Sequence, residues 1–131
     1  MTEREIRRYN TTTLAYLGDA VYEVIVREEI VRNRPGNVGK AHNIAVKYVS
    51  SEGQAKAAKT MVAEGFLTEE EERIYKRGRN HRTMSRPHNA NPRNYKIATG
   101  FEALIGYLYL LDRKERLREV ASEAVRIVDG K

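Results

Sequence analysis

Residues 101–110, Phe101-Glu102-Ala103-Leu104-Ile105-Gly106-Tyr107-Leu108-Tyr109-Leu110, are apolar on nearly every side of a helix. A helix of that kind is mostly buried. One carboxylate, Glu102, stands inside it. An earlier stretch, Leu14-Ala15-Tyr16-Leu17-Gly18-Asp19-Ala20-Val21-Tyr22-Glu23, repeats the arrangement around Asp19. Burying an ionised carboxylate is costly unless a cation, a metal or hydrogen bonds compensate it. Two such acids brought together by folding would make a site for a divalent metal ion.

The remainder of the chain reads as helix. Leu14, Leu17, Val21, Val24, Ile25 and Glu28 recur at spacings of three and four, the mark of an amphipathic helix over 12–32. Thr11, Thr12 and Thr13 offer N-caps for it. A turn follows at Pro35-Gly36-Asn37. Helices are then expected over 38–50 and 52–64, with a break or kink at Ser50-Ser51-Glu52-Gly53. Thr68-Glu69-Glu70-Glu71 fits a capping box opening a helix that runs to Arg77 and stops near Gly78. Over 78–93 the apolar periodicity vanishes and Pro87, Pro92 and several asparagines predict a long loop. Helix resumes over 94–111, and Asp112-Arg113-Lys114-Glu115 suggests a capping pattern for a last helix to Val128. With no strand-like alternation, the expectation is one all-α domain of about six or seven helices.

Gly18 costs helix stability relative to alanine, so its presence predicts a close approach by another backbone or helix. Thr12, Ala15, Asp19 and Glu23 fall along one stripe of the first long helix, which makes Asp19 and Glu23 neighbours. On the second acidic helix Thr99 lies one turn before Glu102.

Charge narrows the partners. The formal net charge is +6, yet residues 73–96 hold eight Lys or Arg and no Asp or Glu. Elsewhere 16 basic residues face 18 acidic ones, so the positive excess resides in that one segment. Such a concentration attracts polyanions, nucleic acid foremost, or else forms a solvated loop. The absence of cysteine excludes a disulfide framework and thiolate chemistry. No apolar run approaches the roughly 18 to 20 residues of a membrane span, and no secretory leader is visible. The expectation is a soluble cytoplasmic protein with no membrane partner.

Carboxylates with water and phosphate oxygens suit magnesium, or manganese in its place. An ion held so can activate water and stabilise charge on a phosphodiester. The residues alone leave a second possibility open, in which Asp19 pairs with an arginine and Glu102 bridges helices. His81 and His88 are better nucleic-acid contacts or plain loop residues than ligands of an oxygen-rich site. His42 and Lys47 read as a solvated helix face.

Leu17-Gly18-Asp19-Ala20-Val21 resembles the signature helix of the ribonuclease III catalytic domain, and Phe101-Glu102-Ala103-Leu104-Ile105-Gly106 resembles its second acidic helix. Lys76-Arg77-Gly78-Arg79-Asn80 strengthens the likeness, which covers nearly the whole chain and is closest to the short form lacking a double-stranded-RNA-binding domain. It implies a homodimeric, magnesium-dependent endonuclease that cuts double-stranded RNA to 3′-hydroxyl and 5′-phosphate ends. The implied substrate class is 23S ribosomal RNA precursor, with room for a ribosomal protein as accessory. Asp19 and Glu102 inherit the catalytic and metal-holding roles. Tyr16 occupies the place of an aromatic knob that enters the partner subunit, or is an ordinary core aromatic.

Arg77, Arg79, Asn80, Arg82 and Arg86 become the expected RNA contacts, positioning an A-form duplex through its phosphates. The chain departs from the family where larger members carry further acids: Thr12, Ala15 and Thr99 stand there. Glu23 could supply part of the deficit or pair with Arg27, and it is left outside the ligand set. The competing function is therefore a ribonuclease III-like module that binds structured RNA with weak or no catalysis.

Overall fold

The computed structural model describes residues 1–33, 36–81 and 91–131. Among these residues the chain forms seven helices and no strand: α1 (Glu3–Ile6), α2 (Thr11–Asn33), α3 (Val38–Val49), α4 (Ser51–Ala63), α5 (Glu69–Asn80), α6 (Pro92–Leu110) and α7 (Lys114–Val128). The all-α expectation holds, and α6 is the buried helix that its composition requires. Eleven of its 19 residues are buried, from Ile97 to Leu108 with Glu102 the one interruption. It is enclosed by α2, α4, α5 and α7.

Small residues set how closely these helices approach. A Cβ on Gly18 would lie 1.7 Å from the Glu102 carbonyl oxygen, and one on Gly106 would lie 2.1 Å from that of Leu14. The backbones of α2 and α6 therefore touch, antiparallel, with no side chain between them. On another side of α6, a Cβ on Gly78 would fall 2.9 Å from both Gly100 Cα and Ala103 Cβ. That contact seats the last turn of α5. Aromatic packing continues the core, with Tyr22 edge-on to Phe101 at 4.9 Å between ring centres.

Helix ends follow local chemistry. The capping box at Thr68 and Glu71 forms as expected. Glu71 is buried and accepts from Arg116 Nε and Nη2, each at 2.8 Å, while Arg116 stacks over Phe66. The threonines at the start of α2 are not its caps. Asn10 Oδ1 accepts from the Thr13 backbone N–H at 2.8 Å and from the Thr12 and Thr13 hydroxyls. Asparagine reaches the free N–H groups from one residue earlier. The capping pattern at Asp112 also fails: Asp112 turns into the left-handed region at φ 59°, and α7 begins after Arg113 without a side-chain cap. Arg113 instead turns back to Glu3 and Glu70, each at 2.7 Å, joining α1 and α5 to the start of α7. Tyr107 donates to the same Glu70 carboxylate.

Two other boundaries differ. Helix α5 continues through Asn80 rather than stopping near Gly78, because Gly78 packs on Gly100 and rewards the extra turn. Helix α6 starts at Pro92, with Asn91 Oδ1 accepting from the N–H groups of Arg93 and Asn94. The segment expected as a basic loop is thus helical at both ends, and Arg82, Arg86 and His88 lie outside the described residues.

Candidate active site

The contact between Gly18 and Glu102 decides where the acids go. Asp19 follows Gly18 on α2, and Glu102 projects from α6 at the point where the two backbones touch. Their carboxyl groups come within hydrogen-bonding reach of one another. Asp19 faces solvent, while Glu102 is half-buried. Burial, followed by the hydrogen bond and negative charge of Asp19, pushes the Glu102 carboxyl up to about 8. Gln54 acts in the opposite direction by donating from Nε2 to Glu102 Oε2 at 3.3 Å. Without a cation the pair holds a proton that an ordinary carboxylate would have lost well below neutral pH.

The donor set fits a hard divalent ion. Two carboxylates whose mutual repulsion a cation would relieve, open to solvent on the Asp19 side, match the way magnesium is held by one or two carboxylates plus water and phosphate. A divalent ion there would supply positive charge against a phosphodiester and a more acidic water. Among the described residues, no group of three or more Asp, Glu, His or Cys gathers to hold a metal.

The other polar residues near these helix positions are engaged elsewhere. Glu23 pairs with Arg27 at 3.0 Å. Thr99 is buried and donates its hydroxyl to the Tyr95 carbonyl at 2.9 Å. Thr12 donates to Asn10 at 2.6 Å. None of them bonds to Asp19 or Glu102.

Gln54 was not among the residues expected at the site. The signal for it was present, because it is the sole glutamine in 131 residues and stands among the alanines of α4.

The basic residues line two cavities. One of about 420 Å³ lies between α4, α5 and α6, with Lys59, Arg79, Asn80, Arg93 and Lys96 among its walls and no acidic residue. Arg79 is held in place there, its guanidinium 5.6 Å from the Tyr75 ring centre and its Nε donating to Asn80 at 3.1 Å. The second, of about 380 Å³, joins the start of α2 to the end of α5 through Asn10, Thr11, Lys76, Arg77, Asn80 and His81. Arg77, Arg79 and Asn80 therefore reach these cavities from a helix rather than a loop. Elsewhere His42 is exposed, and Lys47 pairs with Asp129 at 3.2 Å.

Tyr16 is 85% exposed on α2, which removes the core-aromatic alternative. Val24 and Val31, just over two and just over four turns further along that side of the helix, are also exposed, so Val24 is not the core position that its spacing suggested.

Residues 12–113 match the Ribonuclease III domain family, and the chain belongs to that family of endoribonucleases. Its relatives include a Mini-ribonuclease 3 of Enterococcus faecalis, 42% identical over 125 residues and covering 95% of each chain. A Mini-ribonuclease 3 of Streptococcus pneumoniae is 39% identical over 126 residues, covering 96% of this chain and 98% of its own. A crystal structure of a Fusobacterium nucleatum protein has the same fold, with TM-score 0.80 and 30% identity over 93% of this chain and 96% of that one.

Proposed function

We propose that this endoribonuclease is magnesium-dependent, with manganese able to substitute, and that it cleaves double-stranded RNA as a homodimer in the cytoplasm. The proposed substrate is 23S ribosomal RNA precursor. The observation that carries the reading is the Asp19–Glu102 pair at the glycine-lined crossing of α2 and α6. Two carboxylates this close at a half-buried position cannot both be ionised at neutral pH without cost unless a cation joins them.

Asp19, on the open side, meets the solvent from which water and RNA arrive. Glu102, fixed by burial and by Gln54, gives the ion an anchor with restricted motion. Arg77, Arg79 and Asn80 are proposed to hold the phosphates of the duplex at the two cavities. Lys59, Arg93 and Lys96 extend that surface, and Arg82 and Arg86 add charge from the same basic segment. Contacts of this kind place an A-form duplex without reading much of its sequence. The exposed Tyr16 supports a second copy seated on α2, which would place two acid pairs against the two strands.

One observation favours a second reading, a module that docks on structured RNA without cutting it: the acids number two where larger family members carry more. Incubating the wild type with long duplex RNA, duplex DNA of the same sequence and magnesium separates the readings. The nuclease cuts the RNA and leaves the DNA intact. Binding without cutting at any magnesium or manganese concentration would transfer the assignment to the docking module.

A further inference from the structure

The structure assigns Gln54 as the positioning residue that fixes Glu102 for the metal ion, an inference that rests on the metal-dependent reading above. The corner between α3 and α4 sets the position of Gln54. Ser50 is extended there, at φ −65° and ψ 157°, and its Oγ accepts from the Gly53 N–H at 3.1 Å. In an uninterrupted helix that N–H would bond to the Val49 carbonyl. The corner therefore leaves the Val49 carbonyl free to take a side-chain donor.

Only glycine permits the turn to be this tight, since a Cβ on residue 53 would lie 2.3 Å from the Lys47 carbonyl oxygen. The next side chain, Gln54, is 1% exposed. Its Nε2 donates to Val49 O at 2.9 Å and to Glu102 Oε2 at 3.3 Å.

Both neighbours of that nitrogen are acceptors, and an NH2 group has two hydrogens, so the two contacts fix which end of the carboxamide faces the acid. The amide is then anchored by one hydrogen to the backbone and directs the other at Glu102. Its remaining oxygen, Oε1, is buried and has no partner among the described residues. A buried carbonyl oxygen left unmatched is costly, and a purely structural cap for Val49 would not require that cost so near a carboxylate pair.

The residue type fits the task. Lysine or arginine would compete with a metal ion for Glu102, a third carboxylate would add to the repulsion, and leucine would leave Glu102 free to rotate. A neutral donor orients the carboxylate while leaving its charge available to a cation. Groups that orient metal ligands typically alter metal affinity or activity by about 10- to 100-fold when removed.

The test uses Mn2+ titrated by calorimetry into RNA-free wild type and Gln54→Leu, each shown to be folded by circular dichroism. The assignment predicts at least about tenfold weaker Mn2+ binding by the variant. It also predicts a fall in kcat on duplex RNA with little change in KM, since the RNA-contacting residues are untouched. Affinity within about twofold of wild type in a folded variant would overturn it. A wild type that binds no Mn2+ would overturn the metal-dependent reading and this inference together.

Because Gln54 is the only glutamine, side-chain 15N-labelled glutamine gives the wild type a single pair of carboxamide signals. They are expected to be protected from solvent exchange and to shift when Mg2+ is added. Signals that do not move at saturating Mg2+ would overturn the assignment even if Gln54→Leu fails to fold.

Discussion

Glu102 couples the site to the stability of the protein. Burial and Asp19 raise its carboxyl from the ordinary 4.5 to about 8, so the metal-free folded chain holds a proton that the unfolded chain has released. Wherever the folded state binds more protons, stability falls as pH rises. Melting temperature in EDTA should therefore decline between about pH 4.5 and 8 and level off above. Glu102→Gln should lack that decline, and saturating Mg2+ should flatten it in the wild type. A wild-type curve no steeper than that of the variant would show that the two carboxyls do not interact. At this scale the acids were legible in the sequence, because a carboxylate within an apolar helix needs an explanation from its own neighbours. Gln54 stood out as a lone glutamine among alanines, but its contact with Glu102 was not legible, because it depends on a corner between two helices and on a third helix far along the chain. The bonds of Thr99 and Thr12 are local, to the Tyr95 carbonyl one turn earlier and to Asn10, and they depend on side-chain rotamers that residue type does not fix.

Among the elements, the crossing of α2 and α6 does most to create the site. Gly18→Ala would bring a methyl group to 1.7 Å from the Glu102 carbonyl oxygen, and since that atom is backbone the helices must separate. The expected loss is about 3 kcal/mol or more in urea denaturation, at the upper end of what overpacking costs. A variant as stable as the wild type would contradict the contact. Gly18 announced this approach in the sequence, since a glycine within a helix has a cost that only packing offsets. Helix ends were less legible. Asn10 displaced three threonines as the cap, and Asp112 adopted a left-handed turn where a capping box was expected. The four-residue α1 is too short to show periodicity. The basic segment was misread at its two ends for different reasons: the fit of Gly78 against Gly100 extends α5, a tertiary contact that composition cannot show, whereas Asn91 caps α6 at Pro92, two residues before the expected start.

For the whole molecule, the exposed aromatic on α2 and the cationic cavities set the expected assembly with RNA. Tyr16 is 85% exposed, so Tyr16→Glu should leave monomer stability within about 0.5 kcal/mol. By sedimentation the wild type should be a dimer and the variant a monomer with impaired cleavage of both strands. A variant that remains a dimer would remove Tyr16 from the interface. The all-α architecture and the pairing of α2 with α6 were legible because each rests on a continuous stretch of apolar sequence. The cavities were not, because Lys59, Arg79, Arg93 and Lys96 come from three helices.

The most direct test of the account compares Asp19→Asn and Glu102→Gln with the wild type, measuring cleavage of duplex RNA in magnesium and binding of the same RNA in EDTA. Losing the cation's several kcal/mol of charge stabilisation should slow cleavage by about 100-fold or more in each variant. RNA affinity in EDTA should not be weakened, because neither substitution removes a phosphate-binding residue. Substantial magnesium-dependent cleavage by either variant would contradict the account, since it would place the catalytic centre away from the crossing of α2 and α6.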